Sequence, residues 1–164
     1  SYIGYSLFSH LGAIALKGFI YTILGMIMGF IFLGNFPTLN IFSILAVLIT
    51  GVLATAISIL LITFIGLFSF IIEDANPFYW LYGKVILILG TVFPIEYFPQ
   101  VLQPFLTFSP IYVVSYGPAK LFVDFSFGTF ASVLLAQIIY LFIGYILCTL
   151  MYRKGVKNLN VNGG

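Results

Sequence analysis

The chain has 164 residues, of which 62% are hydrophobic and only 6% are Asp, Glu, Lys or Arg. Soluble domains hold about 25% charged residues, so this chain cannot cover a globule of its size with groups that water solvates. Disordered chains are polar and charge-rich, and a net charge of +2 is too small for a nucleic-acid surface. These observations exclude a soluble domain, a disordered chain and a nucleic-acid partner, and they indicate an integral membrane protein in contact with the lipid bilayer.

Four apolar stretches are long enough, or nearly so, to cross a hydrocarbon core of about 30 Å as helices. They run from about 11–33, 41–72, 78–95 and 125–151. The second has no charged residue and is longer than a bilayer requires, so it must tilt, bend near Gly51 or Gly66, or extend past the membrane surface. We therefore predict an all-α, polytopic transmembrane helix bundle that forms a single transmembrane domain over residues 1–164.

The region between the third and fourth stretches, about residues 96–122, is interrupted by prolines but remains apolar. Proline removes a backbone donor and breaks helices, so no uninterrupted helix can cross the membrane here. Broken backbone at membrane depth is tolerated only where protein or a water-filled cavity surrounds it. The region is therefore predicted to form short re-entrant helices, which dip into the membrane and return before the last span.

Basic residues near the ends of the spans set the predicted orientation. Arg153, Lys154 and Lys157 follow the last span, so the tail 152–164 is placed in the cytoplasm. Counting back along the spans places Glu73 and Asp74 in a cytoplasmic loop and the proline-rich region outside. The sequence thus predicts a multi-pass protein of the cell membrane.

Two charged groups each allow two interpretations. Lys84 lies inside the third stretch, where it either reaches back to the interface or lines the pathway as a cation that faces an anionic substrate group; Lys17 allows the same two readings. Glu73 and Asp74 form either a solvated turn or a docking contact for a cytoplasmic partner. Lys120 and Asp124 are predicted to pair on one exposed helix face.

Small residues spaced four apart predict close helix packing. Gly25 and Gly29 lie in the first stretch, and two such pairs, Gly51 with Thr55 and Ala54 with Ser58, lie in the second. Such a stripe serves either packing within the chain or an interface between subunits.

The sequence contains no arrangement of residues that is typical of a catalytic or metal-binding site. Ser9 and His10 are adjacent and so point about 100° apart on a helix, and one Cys (Cys148) with one His makes no ligand set. The sequence also lacks the phosphate-binding motif Gly-x-x-x-x-Gly-Lys-Ser/Thr. We predict a chain that is not an enzyme and that has no cofactor of its own.

The run from Gly90 to Phe122, together with a last span that ends in a basic tail, resembles the membrane subunits of ABC-type exporters of the type-2 (ABC-2) permease class. That family places short external helices and proline-rich segments before its last span. The matching positions here are Phe93, Pro94, Phe98, Pro99, Ser109, Pro110, Gly117 and Pro118. The four stretches then correspond to the third to sixth spans of the family, so the chain is expected to be the C-terminal part of a longer permease.

The resemblance implies a permease that forms the substrate pathway of an ATP-driven exporter. It implies cytoplasmic ABC ATPase subunits as partners, which carry ATP and Mg²⁺, and a second permease copy in a homo- or heterodimer. The ATPase would dock on Glu73, Asp74, Arg153 and Lys154.

Two alternatives stay open at this point. An ion-coupled secondary carrier or channel would usually place ionisable groups in mid-membrane and often show inverted repeats. An intramembrane enzyme would require His or carboxylate pairs within the spans.

Overall fold

Every element that the structure describes is helical, so the all-α prediction is confirmed. The computed structural model describes residues 12, 16–17, 19–20, 23–31, 40–72 and 74–162. The chain divides into two units, Ser1–Leu39 and Asn40–Gly164. In the first unit, the described residues are helical, including 23–31. The elements discussed below all belong to the second unit.

Helix α1 spans Ile41–Leu67 and continues into a 3₁₀ turn at Phe68–Phe70. Its start is capped by Asn40, whose side-chain oxygen accepts a hydrogen bond from the Phe42 N–H at 3.3 Å. This satisfies one of the backbone donors that a helix start leaves unpaired. The helix lies within the predicted second span.

Helix α2 spans Asn76–Leu87 and passes into a π turn at Ile88–Val92. Asp74 precedes it and accepts a hydrogen bond from the Asn76 N–H at 2.9 Å. The regular structure ends at Phe93, which is extended because the residue before a proline avoids the helical region. The helical part of the third stretch is therefore 76–92 and is shorter than a typical membrane span.

Short pieces follow in the predicted re-entrant region. They are a 3₁₀ turn at Ile95–Tyr97, helix α3 at Gln103–Thr107, a π turn at Tyr112–Tyr116 and helix α4 at Gly117–Val123. Below, residues 94–123 are called the proline-broken segment. The segment is interrupted as the prolines predict, and its depth in a membrane stays a prediction.

Helix α5 spans Phe127–Asn162 and runs parallel to α1. Near the start of both helices, the rings of Phe42 and Phe127 lie 5.9 Å apart. Further along, Cys148 Sγ donates to the Leu60 carbonyl at 3.3 Å. At the far end, Phe70 packs on Gly155.

Helix α2 runs back along α1 in the opposite direction. The rings of Phe68 and Phe78 stack at 6.0 Å, and the Tyr79 side chain packs on Gly66. At its other end, the buried Gly90 packs on Ser115 and Ile111 of the proline-broken segment. Two parallel helices joined by one that returns is the geometry that three successive crossings of a membrane would produce.

The core lies where the proline-broken segment meets α5. Six buried residues form it. They are Ile95, Tyr112, Val113, Leu121, Val133 and Ala136. Large apolar side chains cover much of the outer surface of α1 and α5, as expected of helices that face lipid rather than water.

Two of the described helices are long and apolar enough to cross a membrane, Ile41–Phe70 and Phe127–Val156. Both lie at predicted spans. The first predicted span, about 11–33, falls partly outside the described residues. The single-domain organisation and the span boundaries stay predictions.

Candidate functional site

Prolines leave backbone carbonyls without donors in the proline-broken segment. In the π turn at Tyr112–Tyr116, the Gly117 N–H bonds the Tyr112 carbonyl, so it is not given to Val113, its partner in an α-helix. The residue five after Val113 is Pro118, which has no N–H. The carbonyl of Val113 thus loses both of its usual main-chain donors.

Gln137 of α5 supplies the missing donor. Its Nε2 lies 2.7 Å from the Val113 carbonyl and 2.9 Å from the Thr50 carbonyl of α1. The side chain of Gln137 is completely buried. One amide group therefore ties α1, the proline-broken segment and α5 together.

Tyr140, one turn further along α5, acts in the same way. Its hydroxyl donates to the carbonyl of Phe108, which lies just past the end of α3. The Tyr112 N–H, four residues after Phe108, bonds the side chain of Ser109 instead. Gln137 and Tyr140 are three residues apart and so share one helix face, which holds the broken backbone at two points.

A polar cluster joins the start of the proline-broken segment, at Glu96, to its later part, at Tyr116 and Lys120. Glu96 accepts a hydrogen bond from Lys120 Nζ at 2.7 Å and another from the Tyr116 hydroxyl at 2.6 Å. These bonds, first that from Lys120, hold the pKa of the half-exposed Glu96 carboxyl at about 2. The same carboxylate raises the pKa of Lys120.

The ion pair of Lys120 corrects the sequence prediction. Lys120 pairs with Glu96, and not with Asp124 in the predicted i, i+4 arrangement. Helix α4 ends at Val123, and Asp124 has φ −136° and ψ 85°. The helical spacing that would align the two side chains is therefore lost at Asp124, although its charge still acts on Lys120 at longer range.

An apolar groove of about 400 Å³ opens beside this cluster. It is lined by Val92, Phe93, Pro94, Tyr97 and Phe98. Both residues of the first Phe-Pro pair, Phe93 and Pro94, thus line the groove, as does Phe98 of the second pair. Pro99 precedes the turn at 100–102, and Pro110 begins the helical residues before the π turn. Pro118 is the second residue of α4.

Lys84 lies on α2 and is exposed. Its Nζ lies 5.3 Å from the centroid of the Trp80 ring, one turn nearer the start of the helix. Within the residues that the structure describes, Lys84 has no carboxylate in ion-pair range. Both the interfacial and the pathway interpretation of this lysine remain consistent with its position.

The residues predicted to dock an ATPase collect at one end of the bundle. Asp74 follows the end of α1. Arg153 and Lys154 directly precede Gly155, which contacts Phe70 near the end of α1. All three are exposed. Glu73 lies outside the described residues, so three of the four predicted docking residues are placed at the same end.

The predicted small-residue stripes have open space around them. A Cβ added at Gly25, Gly29 or Gly51 would meet no described atom within 4 Å, and the Thr55 hydroxyl bonds the Gly51 carbonyl of its own helix at 2.9 Å. The buried face of α1 consists of Ser43, Ala46, Thr50, Ala54 and Ile57, so it includes Ala54 of the predicted pair with Ser58 but not Gly51 or Thr55. An interface role for the predicted stripes stays a prediction.

Gln137, Tyr140 and Glu96 were not singled out by the sequence. A single glutamine inside an otherwise apolar span was a usable signal, because polar residues in spans usually face other helices. No comparable signal pairs Glu96 with Lys120, which is 24 residues away.

The described residues contain no group of three or more His, Cys, Asp or Glu side chains placed to hold a metal ion. Cys148 is half-buried against α1. Ser9 and His10 lie outside the described residues.

Comparison with known proteins identifies a family for this chain. No curated protein and no solved structure matches the chain. The sequence model described as "ABC-2 family transporter protein" matches residues 3–163, which is nearly the whole chain and includes both long apolar helices. The chain therefore belongs to the ABC-2 transporter family, whose members are membrane components of ABC transporters.

Proposed function

We propose that this chain is the permease of an ATP-driven exporter, which forms the substrate pathway and is driven by a cytoplasmic ATPase subunit. The family match over residues 3–163 carries the proposal. The chain is proposed to work as a dimer with a second permease copy and to keep its C-terminus in the cytoplasm. ATP and Mg²⁺ are bound by the ATPase.

The parallel packing of α1 and α5 supports a mechanical coupling. Their ends meet at Phe70 and Gly155, beside the proposed docking residues. A force applied there acts on two helices that continue to the proline-broken segment at the opposite end. Nucleotide would then favour one of two packings of the same helices.

The direct test uses vesicles that hold the native permease and a candidate ABC ATPase subunit. We expect ATP hydrolysis by the ATPase to rise when the permease is present, because a correctly docked membrane partner completes the working complex. An ATPase that neither co-purifies with the permease nor changes its hydrolysis rate would contradict the proposal.

We further propose that Asp74, Arg153 and Lys154, together with Glu73, form the docking surface. The variant Arg153→Glu with Lys154→Glu reverses the charge of this exposed end, so we expect co-purification of the ATPase to fall about tenfold through lost electrostatic complementarity. Asp124→Lys is the matched control, since it reverses an exposed charge near the opposite end. Equal loss in both variants would contradict a docking surface at residues 73–74 and 153–154.

Lys84 is proposed to face the substrate pathway and to attract an anionic group. Lys84→Met keeps a long apolar side chain and removes the charge, so we expect export of anionic amphiphilic dyes to fall more than export of neutral ones. Lys84→Arg keeps the charge and is the matched control, which should export both dye classes as the wild type does. Equal export of both dye classes by Lys84→Met would leave only the interfacial interpretation.

A further inference from the structure

The buried amide of Gln137 makes two hydrogen bonds to distant parts of the chain. It donates to Val113 of the proline-broken segment and to Thr50 of α1. These acceptors lie 24 and 87 positions away along the chain. The donor thus links three elements that no backbone hydrogen bond joins directly.

The reason for this link lies in the sequence of the segment. Pro118 and the π turn together remove the main-chain donors of the Val113 carbonyl, as described above. A buried carbonyl without a donor is costly. Gln137 supplies the donor that this carbonyl otherwise lacks, and so stabilises the segment in its present position against α5.

The other half of the amide is not satisfied. The Oε1 atom of Gln137 has no hydrogen-bond donor among the residues that the structure describes, although the side chain is completely buried. Buried polar atoms almost always have a partner, and an exception raises the free energy of the packing in which it occurs.

We infer that Gln137 is a positioning residue of the transport cycle, whose amide holds α1 and the proline-broken segment against α5 in one packing. In the competing packing the two carbonyls are released and Oε1 gains a donor. The inference rests on the proposed function. Because one amide makes both bonds, we expect them to break together as α5 moves, which gives two states rather than a gradual change.

The Gln137 amide and the carbonyls of Val113 and Thr50 that it bonds are called the latch below. The position of the latch suits coupling over distance. Gln137 lies 18 residues before Gly155 on the continuous helix α5, or about 27 Å at the helical rise. Because α5 is one continuous helix, a displacement at its docking end also moves Gln137. The Val113 carbonyl then moves with the segment that borders the apolar groove.

The test measures the distance between spin labels in the complex of native permease and ATPase. In a Cys148→Ala background, Leu48→Cys and Leu135→Cys place the labels on exposed positions of α1 and α5. Distances are recorded without nucleotide and after ATP hydrolysis in the presence of vanadate, which takes the place of the released phosphate and traps ADP. We expect the wild-type latch to give one distance without nucleotide and a second distance after trapping.

Gln137→Leu removes the amide while keeping a side chain of similar size. We expect the nucleotide-free population at the second distance to rise about fivefold, as the loss of one buried hydrogen-bonding group would produce. Gln103→Leu is the control, because its amide bonds only the nearby Phe98 carbonyl at 2.9 Å. The control should keep the wild-type distances.

Two outcomes would overturn the inference. A Gln137→Leu variant with wild-type populations in both conditions would show that the amide is structural only, while the proposed function would stand. A wild-type complex whose distance does not respond to nucleotide would overturn the proposed function and the latch together. If Gln137→Leu fails to fold, Gln137→Asn, whose amide is one methylene shorter, must show the same population rise for the inference to hold.

Discussion

Single side chains in this protein satisfy backbone groups that would otherwise be left without partners. Gln137 and Tyr140 donate to carbonyls of the proline-broken segment, and Asn40 and Asp74 accept from the first turns of helices. Irregular backbone in an apolar protein is tolerated only with such partners. The polar residues of this sequence are few, and several of them serve this purpose.

Glu96 allows a pH prediction at the same scale. Its pKa lies at about 2 in the folded protein, below the ordinary 4.5, so the carboxylate stabilises the fold above pH 4.5 and loses this effect as the pH falls towards 2. We expect Glu96→Gln to lower the thermal midpoint in detergent slightly at pH 7, because exposed ion pairs contribute about 1 kcal/mol or less. The difference from wild type should shrink below pH 4.5.

The control for this prediction is Asp74→Asn, which keeps an oxygen at the position that caps Asn76. This variant leaves the ion pair of Glu96 and Lys120 intact, so its thermal midpoint at pH 7 should stay close to that of the wild type. A difference between Glu96→Gln and wild type that persists unchanged at pH 2 would contradict the assigned ion pair.

At the scale of elements, small residues decide where helices approach closely. Gly90, Gly144 and Gly155 contact side chains of neighbouring elements, whereas Gly51 and Gly128 have open space beside them. The four-residue spacing of small residues predicted two faces of α1, of which the one with Ala54 is buried and the one with Gly51 is not. Ser43, Ala46, Thr50 and Ala54 occupy the buried face, and no glycine repeat marks it.

Gly155 and Gly128 on helix α5 provide a matched pair of substitutions. Gly155→Ala places a Cβ against the ring and Cβ of Phe70, so we expect it to lower the free energy of unfolding by about 1–3 kcal/mol through overpacking. Gly128→Ala meets open space and should raise it by about 0.5–1 kcal/mol, as alanine favours helices. Chemical denaturation in mixed micelles measures both. Equal effects of the two variants would contradict the contact between the ends of α1 and α5.

Composition and span length predicted the helical fold of the whole molecule, because apolar runs of this length admit few other structures. The proline positions likewise predicted where the backbone breaks. The ion pair of Glu96 and the amide of Gln137 could not be predicted, since both depend on how distant segments pack. The same limit applies to Lys84, whose surroundings depend on partners that the sequence does not specify.

The parallel direction of α1 and α5 gives a sidedness prediction for the whole molecule. Asp74 follows the end of α1, and Lys154 lies in the C-terminal part of α5, so both positions should lie on the cytoplasmic side. In a Cys148→Ala background, Asp74→Cys and Lys154→Cys should resist membrane-impermeant maleimide in intact cells and react after lysis. Tyr97→Cys, on a side chain 82% exposed in the predicted external region, should react in intact cells. Labelling of Lys154→Cys from outside would invert the orientation.

ATP-driven export is the central claim, and transport by inverted membrane vesicles tests it most directly. Vesicles that hold the permease and its ATPase are supplied with a panel of anionic and neutral amphiphilic dyes, with and without ATP. We predict that at least one dye accumulates only with ATP and that a protonophore leaves this accumulation unchanged. Accumulation that persists without ATP and collapses with the protonophore would contradict the claim and indicate an ion-coupled carrier.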